Sequence, residues 1–348
     1  MSTARGDVER GERDPLVAAA CAGDEAAFGR LVERHGAELQ VHCYRMLGSF
    51  VESEDLVQET FLRAWKKRES FEGRSTFRAW LYRIATNACL DVLAKRPRRV
   101  LPPDVVPAAD PDGPPPAMTT HAWLEPVPDR LLERVVSPDD DPDVVVVAKE
   151  TIELTFLAAI QYLPPKQRAA LILRDVLGWS ARETAVMLKL SVPATKSALQ
   201  RARGTLQDRL PSRRLDWTVG SEPSHEERAV LRRYMDALEA EGTEAMAAVL
   251  AEDVRVSYPP MALWADGRDD FIAGSSKHAP PGEIRCLATS ANMQPATALY
   301  LRAPGDSEFR LITLEVLRIE DGKVADIVDF SSPELLVALG LPPTLPTA

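Results

Sequence analysis

The segments DLVQETFLRAW (residues 55–65) and STFRAWLYRIATNACLDVLAKRPRR (residues 75–99) decide how this 348-residue chain is read. In the first, Val57, Phe61, Ala64 and Trp65 recur at helical spacing, and Asp55, Gln58, Glu59 and Arg63 fall on other faces. Ser53 is the expected N-cap, with Glu54 and Asp55 in a first turn whose dipole favours acids. In the second, a helix is expected from Ser75 or Thr76, with Phe77, Leu81, Ile84 and Ala88 on its apolar face. Arg83, Asn87 and the closing Lys95-Arg96-Pro97-Arg98-Arg99 are left to face outward, while Trp65 and Trp80 read as core.

Charge is strongly segregated around this pair. Residues 59–99 hold 11 Lys/Arg against 4 Asp/Glu, and residues 163–214 hold 11 against 3. Residues 100–145 reverse the balance with 2 against 10, and residues 224–348 with 11 against 20. Two basic blocks inside a chain of net charge −10 call for a polyanionic partner. The second block carries its own pattern. Ser180-Ala-Arg-Glu183 fits a capping box, Ser191-Val192-Pro193 breaks the chain, and a basic helix follows with Leu199, Ala202 and Leu206 on one face. Lys196, Gln200 and Arg203 lie on another, with Thr195 and Ser197 near its start. That is a helix-turn-helix, whose second helix reads base edges from its N-terminal residues and holds phosphates with its arginines.

On these residues the chain resembles an extracytoplasmic-function sigma factor of the sigma-70 family. Residues 55–99 are similar to sigma region 2, and YLPPKQRAALILRDVLGWSARETAVMLKLSVPATKSALQRARGTL (Tyr162–Leu206) resembles region 4. The resemblance implies that Asp55, Gln58, Glu59 and Arg63 grip the clamp helices of the RNA polymerase β′ subunit. It implies that Arg74, Arg78, Arg83, Asn87, Lys95 and Arg96 capture a melted −10 element, with Phe71 and Tyr82 as stacking aromatics. Thr195, Lys196, Ser197, Gln200, Arg201 and Arg203 are the expected −35 contacts, and the β flap is a further polymerase partner. Pro193-Ala194 departs from the small residue or glycine common at the start of that helix. An anti-sigma protein is a possible further partner.

The remaining sequence completes the layout. Residues 15–99 are expected to form region 2 and 146–211 region 4, both all-α. Between them, 100–145 reads as an acidic, Pro-rich, mostly disordered linker, with the run around Trp123 free to dock; Pro211–Ser224 is a connector. Residues 224–335 read as helices followed by an antiparallel sheet, an α+β domain resembling SnoaL-like cones of the nuclear transport factor 2-like fold. Tyr258, Met261, Trp264 and Phe271 are candidate liners of a pocket for a small apolar ligand. Asp253, Asp266, His278 and Asp329 are the residues a catalytic version would use, but a regulatory role is favoured, so no enzyme activity, cofactor or metal is expected. The scattered Cys21, Cys43, Cys89 and Cys286 read as reduced thiols. The sequence holds no apolar run of membrane length and no apolar stretch near Met1, so a cytoplasmic protein without membrane contact is expected. Two other readings, a ligand-responsive helix-turn-helix regulator and a SnoaL-like isomerase or cyclase fused to helices, leave residues 55–65 or both basic blocks without a purpose.

Overall fold

In the computed structural model, residues 14–111, 113, 121–135, 151–210, 224–240 and 242–346 are described. The acidic run 136–145, the expected helical start at 146–150 and the connector 211–223 lie outside them. Residues within 14–98, 130–135, 151 and 155–210 form a helical unit; those within 99–129, 152–154 and 224–346 form a second, α+β unit.

The helical unit begins with α1 (Pro15–Cys21), α2 (Glu25–Leu47), α3 (Phe50–Lys66) and α4 (Phe77–Leu93). Each boundary has a local cause. Asp24 accepts from the amide of Ala27 to start α2, and Gly48, at φ +69°, ends it in the left-handed conformation that glycine adopts without steric cost. Thr76 caps α4 through Ala79 N. The cap of α3 is Ser49, which accepts from Glu52 N, not Ser53. Ser53 lies one turn further in, buried, and donates its hydroxyl to Phe50 O. The helix therefore starts earlier than its acidic turn suggests.

After α5 (Asp129–Glu133) come α6 (Leu154–Gln161) and α7 (Pro165–Leu171), a π-helical turn at Ile172–Val176, then α8 (Ala181–Leu188) and α9 (Val192–Arg209). The Ser180/Glu183 capping box forms reciprocally, and Ser191 caps α9 with Pro193 in its first turn. Lys189, at φ +53°, turns the chain between the two helices.

In the second unit, α10 (His225–Glu239) and α11 (Thr243–Val249) precede the strands, with α12 (Arg268–His278) between β2 and β3 and α13 (Pro333–Ala338) after β6. Among the described residues β1 (Leu250–Ser257), β2 (Trp264–Asp266), β3 (Glu283–Ala291), β4 (Gln294–Arg302), β5 (Phe309–Glu320) and β6 (Lys323–Phe330) order as β2-β1-β6-β5-β4-β3, and β7 (Thr344–Leu345) pairs with β5. The sheet is mixed, not wholly antiparallel: β1 runs parallel to β6 because the chain returns to its first strand only after the β3–β6 meander. Val230, Leu231 and Tyr234 of α10 pack with Val254, Leu317 and Ile327 in the core of this unit.

The linker corrects the expectation most. Residues 99–111 and 121–129 are built onto this second unit. Val100 pairs with Trp123, and Arg99 donates to Trp123 O (2.6 Å) and Glu125 (2.9 Å). Trp264 donates its indole N–H to Val106 O at 3.0 Å and accepts from Ala109 N at 2.9 Å. The apolar residues Val100, Trp123, Leu124 and Val127 are all buried, so the segment has a core to join even though its composition is acidic and Pro-rich.

Candidate nucleic-acid and polymerase interface

Along α3, Val51, Asp55, Gln58 and Leu62 fall on one face at spacings of four, three and four. All four are exposed, Leu62 at 55% and Val51 at 42%. Glu59 and Arg63 form an i,i+4 ion pair at 2.7 Å beside them. The two large apolar side chains in the stripe were not anticipated. The signal was present in their spacing with Asp55 and Gln58, but an apolar residue in a helix is ordinarily assigned to the core.

The cations expected at melted DNA divide. Arg83, Lys95 and Arg96 are exposed, as is Arg74 beside Glu72, and Asn87 donates to Arg83 O at 2.6 Å. Arg96 pairs with Glu52. Arg78 turns inward: its Nε meets Glu38 at 2.6 Å and its guanidinium lies 4.9 Å from the Tyr82 ring. Burial opposes ionisation of Glu38, but hydrogen bonds from His35 and Arg78 outweigh it and hold this carboxyl below its usual range. Neighbouring His42 is pulled down to about 3, chiefly by burial, and is neutral. The aromatic candidates depart from expectation. Tyr82 is 1% exposed, and Phe71 packs on Phe77 and Trp80. Both serve the core because α4 has one continuous apolar face that takes them in.

On α9, Lys196, Ser197, Gln200, Arg201 and Arg203 are exposed. Thr195 is fully buried and donates to Ser191 O, so its side chain does not join that surface. Arg203 makes a two-pronged pair with Asp175 at 2.9 and 2.7 Å.

In the second unit Phe271 is 6% exposed in the core and Tyr258 packs against it, while Trp264 holds the linker and Met261 sits in the turn after Tyr258. Asp253, Asp266 and His278 are exposed. Asp329 is different: on β6 it stands directly opposite Glu315 of β5. Tyr234 donates to Glu315 at 3.0 Å and Thr313 donates to Asp329. Glu315 went unnoticed because an acid in an otherwise apolar strand carries no periodic mark. Burial first, and then Asp329, push Glu315 up to about 8; burial pushes Asp329 up to about 6.

At the β3–β4 turn, Asn292 is fully buried at φ +56°. It exchanges hydrogen bonds with Val127, donating N–H to Val127 O (2.9 Å) and accepting from Val127 N on Oδ1 (2.9 Å). Its Nδ2 donates to Ile152 O at 2.7 Å. Met293 N donates to Asp129 at 2.7 Å, and Gln294 Oε1 accepts from Leu154 N at 2.9 Å. Three consecutive residues thus hold two stretches of the segment that joins the basic blocks, around Val127–Asp129 and Ile152–Leu154.

Comparison with known proteins agrees with this layout. The sigma-70 region 2 family matches residues 31–99, sigma-70 region 4 matches 153–206, and the SnoaL-like domain matches 231–327. The ECF RNA polymerase sigma factor SigG of Mycobacterium tuberculosis is 39% identical over 322 residues, spanning 91% of this chain and 85% of that protein. SigW of Bacillus subtilis, also an ECF RNA polymerase sigma factor, is 32% identical over 189 residues, 54% of this chain and 91% of its own. The solved structure of the M. tuberculosis extracytoplasmic function sigma factor SigJ covers 90% of this chain and 98% of its own, with a TM-score of 0.54 at 21% identity, and so shares its fold.

Proposed function

The chain belongs to the extracytoplasmic-function sigma factors of RNA polymerase, and from that membership we propose how its parts divide the work of promoter recognition. Residues 15–99 bind core polymerase through the α3 stripe and capture the −10 element with Arg74, Arg83, Asn87, Lys95 and Arg96, joined by Arg78 once it is released. Residues 146–211 read the −35 element with Lys196, Ser197, Gln200, Arg201 and Arg203. The observation that carries this reading is an exposed apolar-and-acidic stripe on α3 in the same unit as a capped helix-turn-helix with an exposed basic face. The site of action is then the cytoplasm, with the polymerase. Among the described residues no helix is long and apolar enough to cross a membrane.

The second unit, residues 224–335 with the linker laid on it, regulates and does not catalyse. Exposure of Asp253, Asp266 and His278 supports that assignment, as does the use of Trp264 and Asn292 to hold the linker. A small apolar ligand or an anti-sigma protein is the class of effector that would act through it.

Run-off transcription with reconstituted core polymerase tests the whole reading, with promoter-specific transcripts expected. Within it, Asp55→Ala combined with Leu62→Ala is expected to weaken binding to the β′ clamp helices at least tenfold, about 1.4 kcal/mol, by removing an exposed acid and an exposed apolar anchor from one face. Wild-type affinity in a pull-down would exclude the stripe. Lys196→Ala is expected to lower affinity for −35 duplex by about 1 kcal/mol and to flatten its salt dependence by about one counterion. A filter-binding salt series checks it. Arg203→Ala is expected to have a smaller effect, because the pair with Asp175 competes with phosphate.

A further inference from the structure

Across the middle of the sheet in the α+β unit runs a row of polar side chains. Thr297 of β4 stands opposite Glu315 of β5, and Glu315 opposite Asp329 of β6. Further along the same face, Leu317 stands opposite Ile327. Helix α10 covers this face, because Tyr234 reaches Glu315 from it and packs with Leu317 and Ile327. Phe271 and Ile272 of α12 join the same apolar cluster, and Ser275 of that helix hydrogen-bonds Tyr258.

The position is deep but not sealed. Burial is the largest influence on the ionisation of Asp329, Tyr258 and Cys286, yet each keeps part of its surface open. Groups that are both desolvated and reachable line a recess and not a solid core. Leu238 of α10 and Ile272 of α12 are likewise only partly buried against the cluster. Glu315, 5% exposed, receives a hydrogen bond from Tyr234 on Oε2, and Asp329 receives one from Thr313 on Oδ1. Glu315 Oε1 and Asp329 Oδ2 have no donor among the described residues.

The surroundings add no counter-charge. The charged side chains that act on Glu315, Tyr258 and Cys286 are acidic: Asp329, Glu315, Glu239 and Asp236. Like charges directly opposite on neighbouring strands repel, and a buried charge without a partner is costly. What would offset both costs is a positive charge that carries hydrogen-bond donors. A hard metal ion is a poor match, since it gathers a full shell of oxygen ligands and the other walls are apolar or aromatic. An ammonium group presents N–H donors to both free oxygens, and apolar walls suit the carbon body attached to it.

We infer that this recess binds a small organic amine in its protonated form, with the ammonium between Glu315 Oε1 and Asp329 Oδ2 and the apolar body against Tyr258, Ile272 and Leu238. The inference rests on the reading above that the α+β unit takes a small effector, and it gives that effector a charge. A proton is displaced on binding. Burial and Asp329 keep Glu315 protonated at neutral pH, and an ammonium beside it favours the carboxylate, so the proton leaves to solvent. Tyr234, Tyr258 and Cys286 are all held above their ordinary range and stay neutral throughout, and Thr313 does not titrate.

Calorimetric titration of the full-length chain near neutral pH tests the site. Cyclohexylmethylamine is the probe, with cyclohexylmethanol and cyclohexanecarboxylate as its neutral and anionic counterparts. The amine is expected to bind about tenfold or more tightly than the alcohol, and the carboxylate not at all. Repeated in two buffers of different ionisation enthalpy, the amine titration is expected to show proton release. Glu315→Gln is expected to abolish that release, and Glu315→Gln combined with Asp329→Asn to lower amine affinity to that of the alcohol. Both variants remove a repulsion, so unfolding melts in circular dichroism are expected to show a folded sheet. No amine binding, equal affinity for amine and alcohol, or an amine affinity untouched in the double variant would overturn the site. Amine binding as expected, with no change in transcript yield from a fixed promoter, would overturn the effector reading and leave the site standing.

Discussion

Asn292→Ala is expected to release residues 121–129 and 152–154 from the α+β unit, at a cost of about 3–5 kcal/mol. Two terms contribute. The substitution removes the acceptor of Val127 N–H and the donor to Ile152 O, both at buried positions, and each orphaned backbone group costs about 1–3 kcal/mol. Alanine must also hold φ +56°, a conformation that asparagine tolerates and alanine resists by about 1 kcal/mol. Asn292→Asp separates the terms, since it keeps the acceptor and the tolerance of left-handed backbone but loses the donor. Hydrogen exchange measured by mass spectrometry on the full chain is the check. Peptides over 121–129 are expected to lose protection in Asn292→Ala and to be intermediate in Asn292→Asp. Wild-type protection would show that the turn does not hold the linker. If the α+β unit regulates through the linker, transcript yield from a fixed promoter changes in the same order as the loss of protection.

What the sequence disclosed and what it hid follow one physical division. Features fixed within a few residues were readable. The capping box at Ser180 and Glu183 formed, and Ser191-Val192-Pro193 opened α9. Features fixed by a distant partner were not. Tyr82 on its helix and Phe71 in the stretch before it look available until α2 and Trp80 cover them. The acidic linker lacks the bulk to fold alone, but it docks because Trp264 and Asn292, more than 150 residues away, supply its hydrogen-bond partners. The parallel pairing of β1 with β6 depends on where the meander closes, which no local pattern records. Among the site residues, periodicity left Asp55, Gln58 and Lys196 outside the apolar faces and they are exposed, whereas Thr195, expected as a contact from the family resemblance, is buried with its hydroxyl turned back to Ser191 O.

Glu315→Gln is expected to stabilise the α+β unit at pH above about 8 and to remove most of the pH dependence of its unfolding. Two carboxyls directly opposite one another on neighbouring strands repel when both are ionised, and no cation among the described residues pairs with either. The groups facing them do not compensate. Tyr234 from α10 and Thr313 from β5 each donate one hydrogen bond to the pair, and the other titratable neighbours, Tyr258 just after β1 and Cys286 of β3, are uncharged. Burial together with Asp329 therefore keeps Glu315 protonated in the folded state up to about 8, against 4.5 for an ordinary glutamate. Between these values the folded chain holds a proton that the unfolded chain has released, so stability falls as pH rises. The contribution is fully present below about 4.5 and is lost as pH climbs through 8, a span worth on the order of 5 kcal/mol. Glutamine keeps an oxygen for the Tyr234 hydroxyl and carries no charge at any pH. Urea midpoints of the full-length chain, followed by the sheet signal in circular dichroism at pH about 5.5 and about 8.5, measure the difference. The wild-type midpoint is expected to drop and the variant's to stay nearly level. Parallel profiles for the two chains would mean that Glu315 ionises as freely in the sheet as in water, and that the Tyr234 hydroxyl with residual hydration stabilises both charges.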